Sequence, residues 1–447
     1  MTEHQQRIVR LTEQLRALPP GAPVRLAKRT SNLFRTRVTN SAPGLDVSAL
    51  QHVLHVDPQR RTADVEGMVT YETLVDATLP HGLMPLVVPQ LKTITLGGAV
   101  SGVGIESSSF RNGAPHESVL EMDLLTGDGE LITVSPANEH SELFFGFPNS
   151  YGTLGYALRL RIELEPVKPY VHLRHVRHHD ARAFFEDFAA QCTSSEVDFV
   201  DGTVFGPDEL YLTLGRFVDA APYTSDYTWL EIYYRSIQRR SQDFLTVRDY
   251  LWRWDTDWFW CSRAFGAQRR WVRRLAGRRL LRSDVYWKIV DFERRHRVMS
   301  RIDRRRGRPE QEPVVQDVEV PVHRAAEFLD FFHREIPISP VWVCPLRQRD
   351  RQRRWPLYEF DPDTLYVNFG FWSTVDLEPG EADDTHNRMI ESAVESLDGR
   401  KSLYSTAYYA EDDFWRLYSG EAYWRLKKQY DPDGRLLDLY AKCVGDR

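Results

Sequence analysis

Between Thr93 and Ser109 the chain reads Thr-Ile-Thr-Leu-Gly-Gly-Ala-Val-Ser-Gly-Val-Gly-Ile-Glu-Ser-Ser-Ser. Glycines let backbone N–H groups approach a ligand closely and adopt positive φ. Hydroxyls add donors, so Thr93, Thr95, Gly97, Gly98, Gly102, Gly104, Ile105, Glu106, Ser107 and Ser108 suit a diphosphate, which wants several converging N–H and O–H groups. The alternative is a glycine-rich surface loop with no ligand. Gly102 to Ser107 approaches the GxGxxG pattern but lacks its strand–turn–helix setting and downstream acid, which rejects a Rossmann site. Cys192, Cys261, Cys344 and Cys443 lie far apart with no CxxC pair, so neither a zinc site nor a disulfide framework is expected. That cysteine usage fits a reducing, cytoplasmic compartment.

The elements that must position this stretch are legible in outline. A polar helix is expected over residues 4–18 and a short strand from Pro23 to Ala27. Strands follow at His52–Asp57 and Thr62–Val65, then a helix at Tyr71–Leu79 capped by Thr70. Leu86-Val87-Val88 reads as a buried strand. Gly127-Asp128-Gly129 joins a hairpin, Glu139–Phe145 a short helix, and Leu158–Leu164 a strand closed by Pro166. This predicts an α+β unit over 1–166, a second α+β region over 167–400, and a tail of short aromatic helices over 401–447 packing back on the first unit. The N-terminus has no apolar signal core, and no run of uncharged apolar residues is long enough to span a membrane.

The TxGG loop, Phe110-Arg111-Asn112-Gly113, the Thr126-Gly-Asp-Gly129 hairpin, Glu142-Leu-Phe144 and Gly152-Thr-Leu-Gly155 resemble the PCMH-type FAD-binding domain of the vanillyl-alcohol-oxidase superfamily. Cytokinin dehydrogenases share this stretch. Δ24-sterol reductases share more of the chain: Gly104–Ser109, Val314-Val-Gln-Asp317, Val341-Trp-Val-Cys-Pro345, Leu365-Tyr366 with Gly370, and Phe414-Trp415. The resemblance implies a PCMH-type FAD domain with an α+β cap. It further implies that Thr95–Ser107 wraps the FAD pyrophosphate, with Gly152 and Gly155 near the flavin and Arg111, Asn112, Gly113 and His116 completing the pocket. The superfamily's first phosphate loop is glycine-rich and often carries a covalently linked histidine. Here Arg25–Phe34 has neither, so the FAD is expected to be non-covalent. Thr30, Ser31 and Asn32 supply donors there, and Lys28 or Arg29 charge. His116 is left as a remote covalent candidate, against its reading as a structural histidine.

The sterol-reductase resemblance implies reduction of an isolated C=C bond, which needs a proton donor because no carbonyl is present to polarise. Glu106, Tyr366 and His116 are the candidates. Glu106 alternatively caps loop amides, and Tyr366 alternatively packs in its strand. Asn368, on the same strand face, and the pair Trp342 and Cys344 are candidate substrate contacts, with a plain buried thiol as the other reading of Cys344. The resemblance implies NADPH as electron donor, but no second dinucleotide motif is visible, so a partner reductase is the alternative. An oxidase of the same fold, acting on an alcohol or amine, is a competing expectation.

Net charge is −6, yet the segment 263–308 carries roughly +13, and seven of twelve tryptophans lie between Trp229 and Trp287. A helix over 268–284 mixing arginine with Trp271 and Leu275 suits the interface of an anionic membrane. The expectation is a peripheral protein at the inner membrane face acting on a lipid. The other reading is a solvated basic face or an acidic partner; no nucleic-acid module accompanies the charge. The arginine-rich composition suits a high-GC bacterium, which favours a methylene-branched phospholipid acyl chain over a sterol as substrate. A fatty-acid methyltransferase is then a possible partner.

Overall fold

The computed structural model describes residues 1–19, 21–28, 34–35, 44–263, 266–286, 288–289 and 309–445. Thr30, Ser31, Asn32 and Arg29 lie outside the described residues, as do Trp287 and the end of the basic segment.

The N-terminal unit opens on helix α1, Glu3–Arg16, closed by a capping box between Thr2 and Gln5. The short strands β1 (Leu26–Ala27) and β2 (Leu45–Asp46) pair in parallel. Hairpin β3–β4 (Val53–Asp57, Thr62–Glu66) then pairs with β8 (Tyr156–Pro166). The other side of β8 pairs with β6 (Val119–Leu125), which pairs with β7 (Leu131–Val134) across the Gly127–Gly129 turn. Helix α2, Tyr71–Thr78, starts at Thr70, whose hydroxyl accepts from Thr73 N. The strand expected at Leu86–Val88 lies three residues earlier: β5, Leu83–Pro85, pairs with β8. Leu86–Val88 are buried without pairing, since the chain runs on into Pro89.

The second sheet has eight strands in the order β12-β9-β11-β10-β14-β15-β13-β16. Of these, β9 (Tyr170–His178), β13 (Gln311–Pro321), β14 (Val341–Leu346) and β15 (Tyr366–Asp376) coincide with strands that the sequence predicts at 171–176, 318–320, 341–344 and 365–369. The pair β10 (Phe199–Gly206) and β11 (Glu209–Val218) was not expected, nor were β12 (Gln242–Thr246) and β16 (Arg400–Lys401). Helices Ala181–Gln191, Ala325–Glu335 and Thr385–Ser396 bury Phe184, Phe188, Phe328, Phe332 and Ile390 in a core shared with this sheet.

The C-terminal helices touch the first unit. Gly127 N donates to Tyr430 O at 2.8 Å, Lys427 Nζ to Thr153 O at 2.9 Å, and Val24 N to Arg435 O at 2.8 Å. The expected basic helix is Arg270–Leu280, shorter than expected and broken at Gly277, whose φ is +64°. No helix of the described residues is long and apolar enough to cross a membrane.

Candidate functional site

A cavity of about 620 Å³ lies where the N-terminal unit, the second sheet and the C-terminal segment meet. Contacts order its wall into three stations. At the first, Tyr156 Oη donates to Val24 O at 3.2 Å and Arg435 Nε to Ala22 O at 3.1 Å, holding Arg25 and Arg435 together. At the second, the Arg35 guanidinium lies 4.5 Å over the Tyr151 ring. Tyr151 Oη donates to Gly102 O at 2.7 Å, and Lys442 Nζ donates to Tyr151 O at 2.6 Å. Burial, reinforced by Arg35, brings the Lys442 ammonium down to about 7. At the third, Phe259, Trp342 and Trp372 form an aromatic end, and Trp372 Nε1 donates to Tyr404 Oη at 2.7 Å.

Asp317 also lines that aromatic end, with Ser402 beside it. Its carboxylate occupies the space a side chain at position 370 would need: a Cβ on Gly370 would lie 2.5 Å from Asp317 Oδ1. Burial raises the Asp317 carboxyl to about 7, although Asn368 and Tyr404 face it with groups that favour the charged form. Glu319, two residues along β13, hydrogen-bonds Tyr358 and accepts from Ser402 Oγ at 3.2 Å; burial raises it to about 8.

The glycine-rich stretch folds as helix α3, Leu96–Gly102, capped by Thr95, whose Oγ1 accepts from Gly98 N at 3.2 Å. Many of its amides are already paired: Leu96 N with Val69 O, Gly97 N with Gly67 O at 3.0 Å, and Lys92 N with Asp255 Oδ1. The expectation that these amides wrap a diphosphate is corrected to that extent. The glycines act instead by clearance. A Cβ at Gly97 would lie 2.7 Å from Gly67 O, and one at Gly102 would lie 3.0 Å from the Tyr151 ring. Gly152 and Gly155, at φ +76° and +140°, keep the opposite wall thin. The cavity wall carries the cations Arg25, Lys28, Arg35, Arg435 and Lys442 and, among the described residues, the one carboxylate Asp317, a balance that suits an anion. Phosphate charge at this cationic wall and room for the cofactor's body beside Gly102, Gly152 and Gly155 fit a flavin dinucleotide.

Of the expected site residues, Thr95, Gly97, Gly98, Gly102, Gly104, Ile105, Gly152, Gly155 and Trp342 line the cavity. Thr93, Glu106, Ser107, Ser108, Arg111, Asn112, Gly113, His116, Cys344, Tyr366 and Asn368 do not. Glu106 accepts from Ser107 N at 2.7 Å and faces Arg253 at 3.9 Å. Ser107 O accepts from Val200 N, and Ser107 Oγ meets Tyr250 Oη at 2.9 Å, so this pair joins the two sheets instead of meeting substrate. Ser108 Oγ and Asn112 Nδ2 tie to Leu86 O, and Arg111 pairs with Glu165 at 2.6 Å. Gly113 abuts the Glu117 carboxylate. His116 is buried edge-on to Trp355 at 4.4 Å, and burial holds it neutral, near 3; covalent attachment there has no support. Tyr366 Oη accepts from Asp361 N at 3.2 Å. Asn368 is buried beside Asp317, and the Cys344 thiol is buried with its ionisation pushed well up.

Sequence reasoning missed Asp317, Tyr404, Tyr151, Arg35, Arg435 and Lys442. The one available signal was the pair Asp317 and Glu319, acids that alternate with Val318 and Val320 along one strand.

Residues 2–135 match the FAD binding domain family. Over most of its length the chain is similar to Δ24-sterol reductases. The Arabidopsis thaliana protein is 25% identical, covering 90% of this chain and 77% of that one. The Mus musculus protein is 27% identical, covering 88% and 76%. Cytokinin dehydrogenase 10 of rice is 34% identical over a shorter stretch, 36% of this chain and 32% of its own.

Proposed function

We propose that the chain is an FAD-dependent oxidoreductase of the vanillyl-alcohol-oxidase superfamily and that it reduces an isolated C=C bond in a lipid. The observation that carries this reading is the aromatic end of the cavity, where Phe259, Trp342 and Trp372 offer an apolar slot. When bound, the flavin supplies hydride to the alkene. The chain's own residues do the rest. Arg25, Lys28, Arg435 and Lys442 hold the diphosphate, Gly102, Gly152 and Gly155 give the cofactor room, and the aromatic side chains orient an acyl or sterol chain while excluding water.

The substrate we favour is a methylene-branched acyl chain of a phospholipid, reduced to the methyl branch. The names of the relatives favour the second reading, a sterol side chain. NADPH is the proposed electron source, directly or through a partner reductase. Incubating holoenzyme and NADPH with methylene-acyl phosphatidylglycerol vesicles or with a Δ24-sterol tests both readings by mass spectrometry. The expected product gains two hydrogens. Fast peroxide formation with no alkene loss would mark an oxidase instead.

The same reading places the protein at the inner face of a membrane, near a fatty-acid methyltransferase. Trp271 and Leu275, one helical turn apart, are 61% and 79% exposed. Arg274 and Arg279 are exposed beside them, whereas Arg273 is fully buried, its guanidinium turned in to Trp229 O. Exposed tryptophan and leucine rimmed by arginine complement an anionic bilayer. Each arginine near such a surface contributes about 1 kcal/mol. Arg274→Glu with Arg279→Glu is therefore expected to weaken binding to phosphatidylglycerol vesicles by about 30-fold or more, with FAD content unchanged. Undiminished sedimentation would remove the docking surface.

A further inference from the structure

Resting on the reductase reading, we propose that Asp317 is the acid that gives the alkene its proton. Three features of the fold carry this. Asp317 is the one carboxylate in the cavity wall among the described residues, and it lies at the aromatic end where the alkene would sit. The space above Gly370 is filled by its carboxylate and edged by Trp342, so glycine at 370 is what lets the acid reach the cavity. The Tyr404 hydroxyl accepts from Trp372 Nε1 and so fixes the aromatic wall on the side of the cavity that Asp317 shares.

The groups facing Asp317 come from every element around it. Glu319 lies along the same strand, Asn368 on the neighbouring strand, Tyr404 on the C-terminal segment, and Tyr151 across the cavity. None of them is a cation, so nothing in this ring holds the carboxyl ionised by charge pairing. Burial keeps it protonated up to about pH 7. Glu319 stands behind it, linked to the cavity through Ser402, and its own raised affinity for a proton opposes a second negative charge.

The step balances simply. The C=C π bond breaks and two C–H bonds form. Reduced flavin supplies one hydrogen with both electrons, and Asp317 supplies the other as a proton from its carboxyl oxygen. The resulting carboxylate is reprotonated from solvent before the next turnover. Below about pH 7 the acid is charged with its proton; above it the rate falls.

The test compares wild type, Asp317→Asn and Asp317→Glu as FAD-loaded proteins, using methylene-acyl phosphatidylglycerol vesicles as the probe. Single-turnover alkene loss is followed across pH 5.5–9. In parallel, infrared titration follows the carbonyl stretch of a protonated carboxyl group, a readout independent of turnover. Asp317→Asn is expected to lose about a hundredfold or more in rate with its flavin spectrum intact, and to lose the carboxyl band that titrates near neutrality. Asp317→Glu is expected to restore part of the rate with a shifted pH profile. If wild type and Asp317→Asn reduce the alkene within tenfold of each other, or if no carboxyl band distinguishes their infrared titrations, the acid role is overturned while the reductase reading stands. If wild type reduces neither the phospholipid nor a Δ24-sterol, the reductase reading fails and takes the acid role with it.

Discussion

Lys442 shows how a cofactor site can be read from one side chain. Its side chain is half-buried, its ammonium 2.6 Å from a carbonyl, and desolvation with the field of Arg35 and Lys28 brings it down to about 7. A diphosphate prefers the charged form. FAD affinity is therefore expected to fall as pH rises from 6 to 8.5, and Lys442→Met should weaken binding by about tenfold or more and flatten that pH dependence. Quenching of flavin fluorescence on titration measures both; a Met variant with unchanged affinity would move the diphosphate elsewhere. Asp317 and Glu319 carry a second sign. Their carboxyl affinities are raised, so the folded state binds protons the unfolded chain has released. Their contribution is full below about pH 4 and is lost as pH rises through 7 to 8. Apoprotein melting temperature should fall over that window, and Glu319→Gln should blunt the fall in differential scanning fluorimetry. The glycines of α3 were legible in the sequence because their spacing is local. Their role as clearance was not, since Gly67 and Tyr151 meet them only in the fold.

At the scale of elements, the Glu106–Ser107 turn is a joint. Arg253 binds Asp201 at 2.6 Å and faces Glu106, while β10 bonds Ser107 through Val200 N. Removing one partner of a buried ion pair strands the other charge. Arg253→Met should therefore cost about 3–5 kcal/mol in chemical denaturation, far more than removal of an exposed arginine such as Arg274. The joint explains why Glu106 resembled a catalytic acid in the sequence: a buried carboxylate beside a ligand loop has the same signature whether it meets substrate or arginine. Strands β13–β15 were legible from their apolar runs. The pair β10–β11 was not, because Asp201 and Gly202 interrupt the alternation, and these residues are explained only by Arg253 and by close contact with Phe184. The basic helix was legible as a helix but not as a broken one; Gly277 at positive φ ends its first turns.

At the scale of the molecule, the cavity is assembled from segments that the sequence holds far apart. Arg25, Arg35, Arg435 and Lys442 reach it from the two ends of the chain, and Asp317 from the middle. No spacing rule brings them together, which is why the site's glycine half and Lys28 were readable and the other charged residues were not. The same assembly gives the account its order: cations for phosphate, glycines for the cofactor's body, an aromatic end for a lipid. The most direct test mixes chemically reduced holoenzyme with methylene-acyl phosphatidylglycerol vesicles in the absence of oxygen and follows flavin absorbance. The account predicts that the flavin reoxidises as one alkene is lost per flavin. Flavin that stays reduced until oxygen is admitted, with both this lipid and a Δ24-sterol untouched, would contradict it.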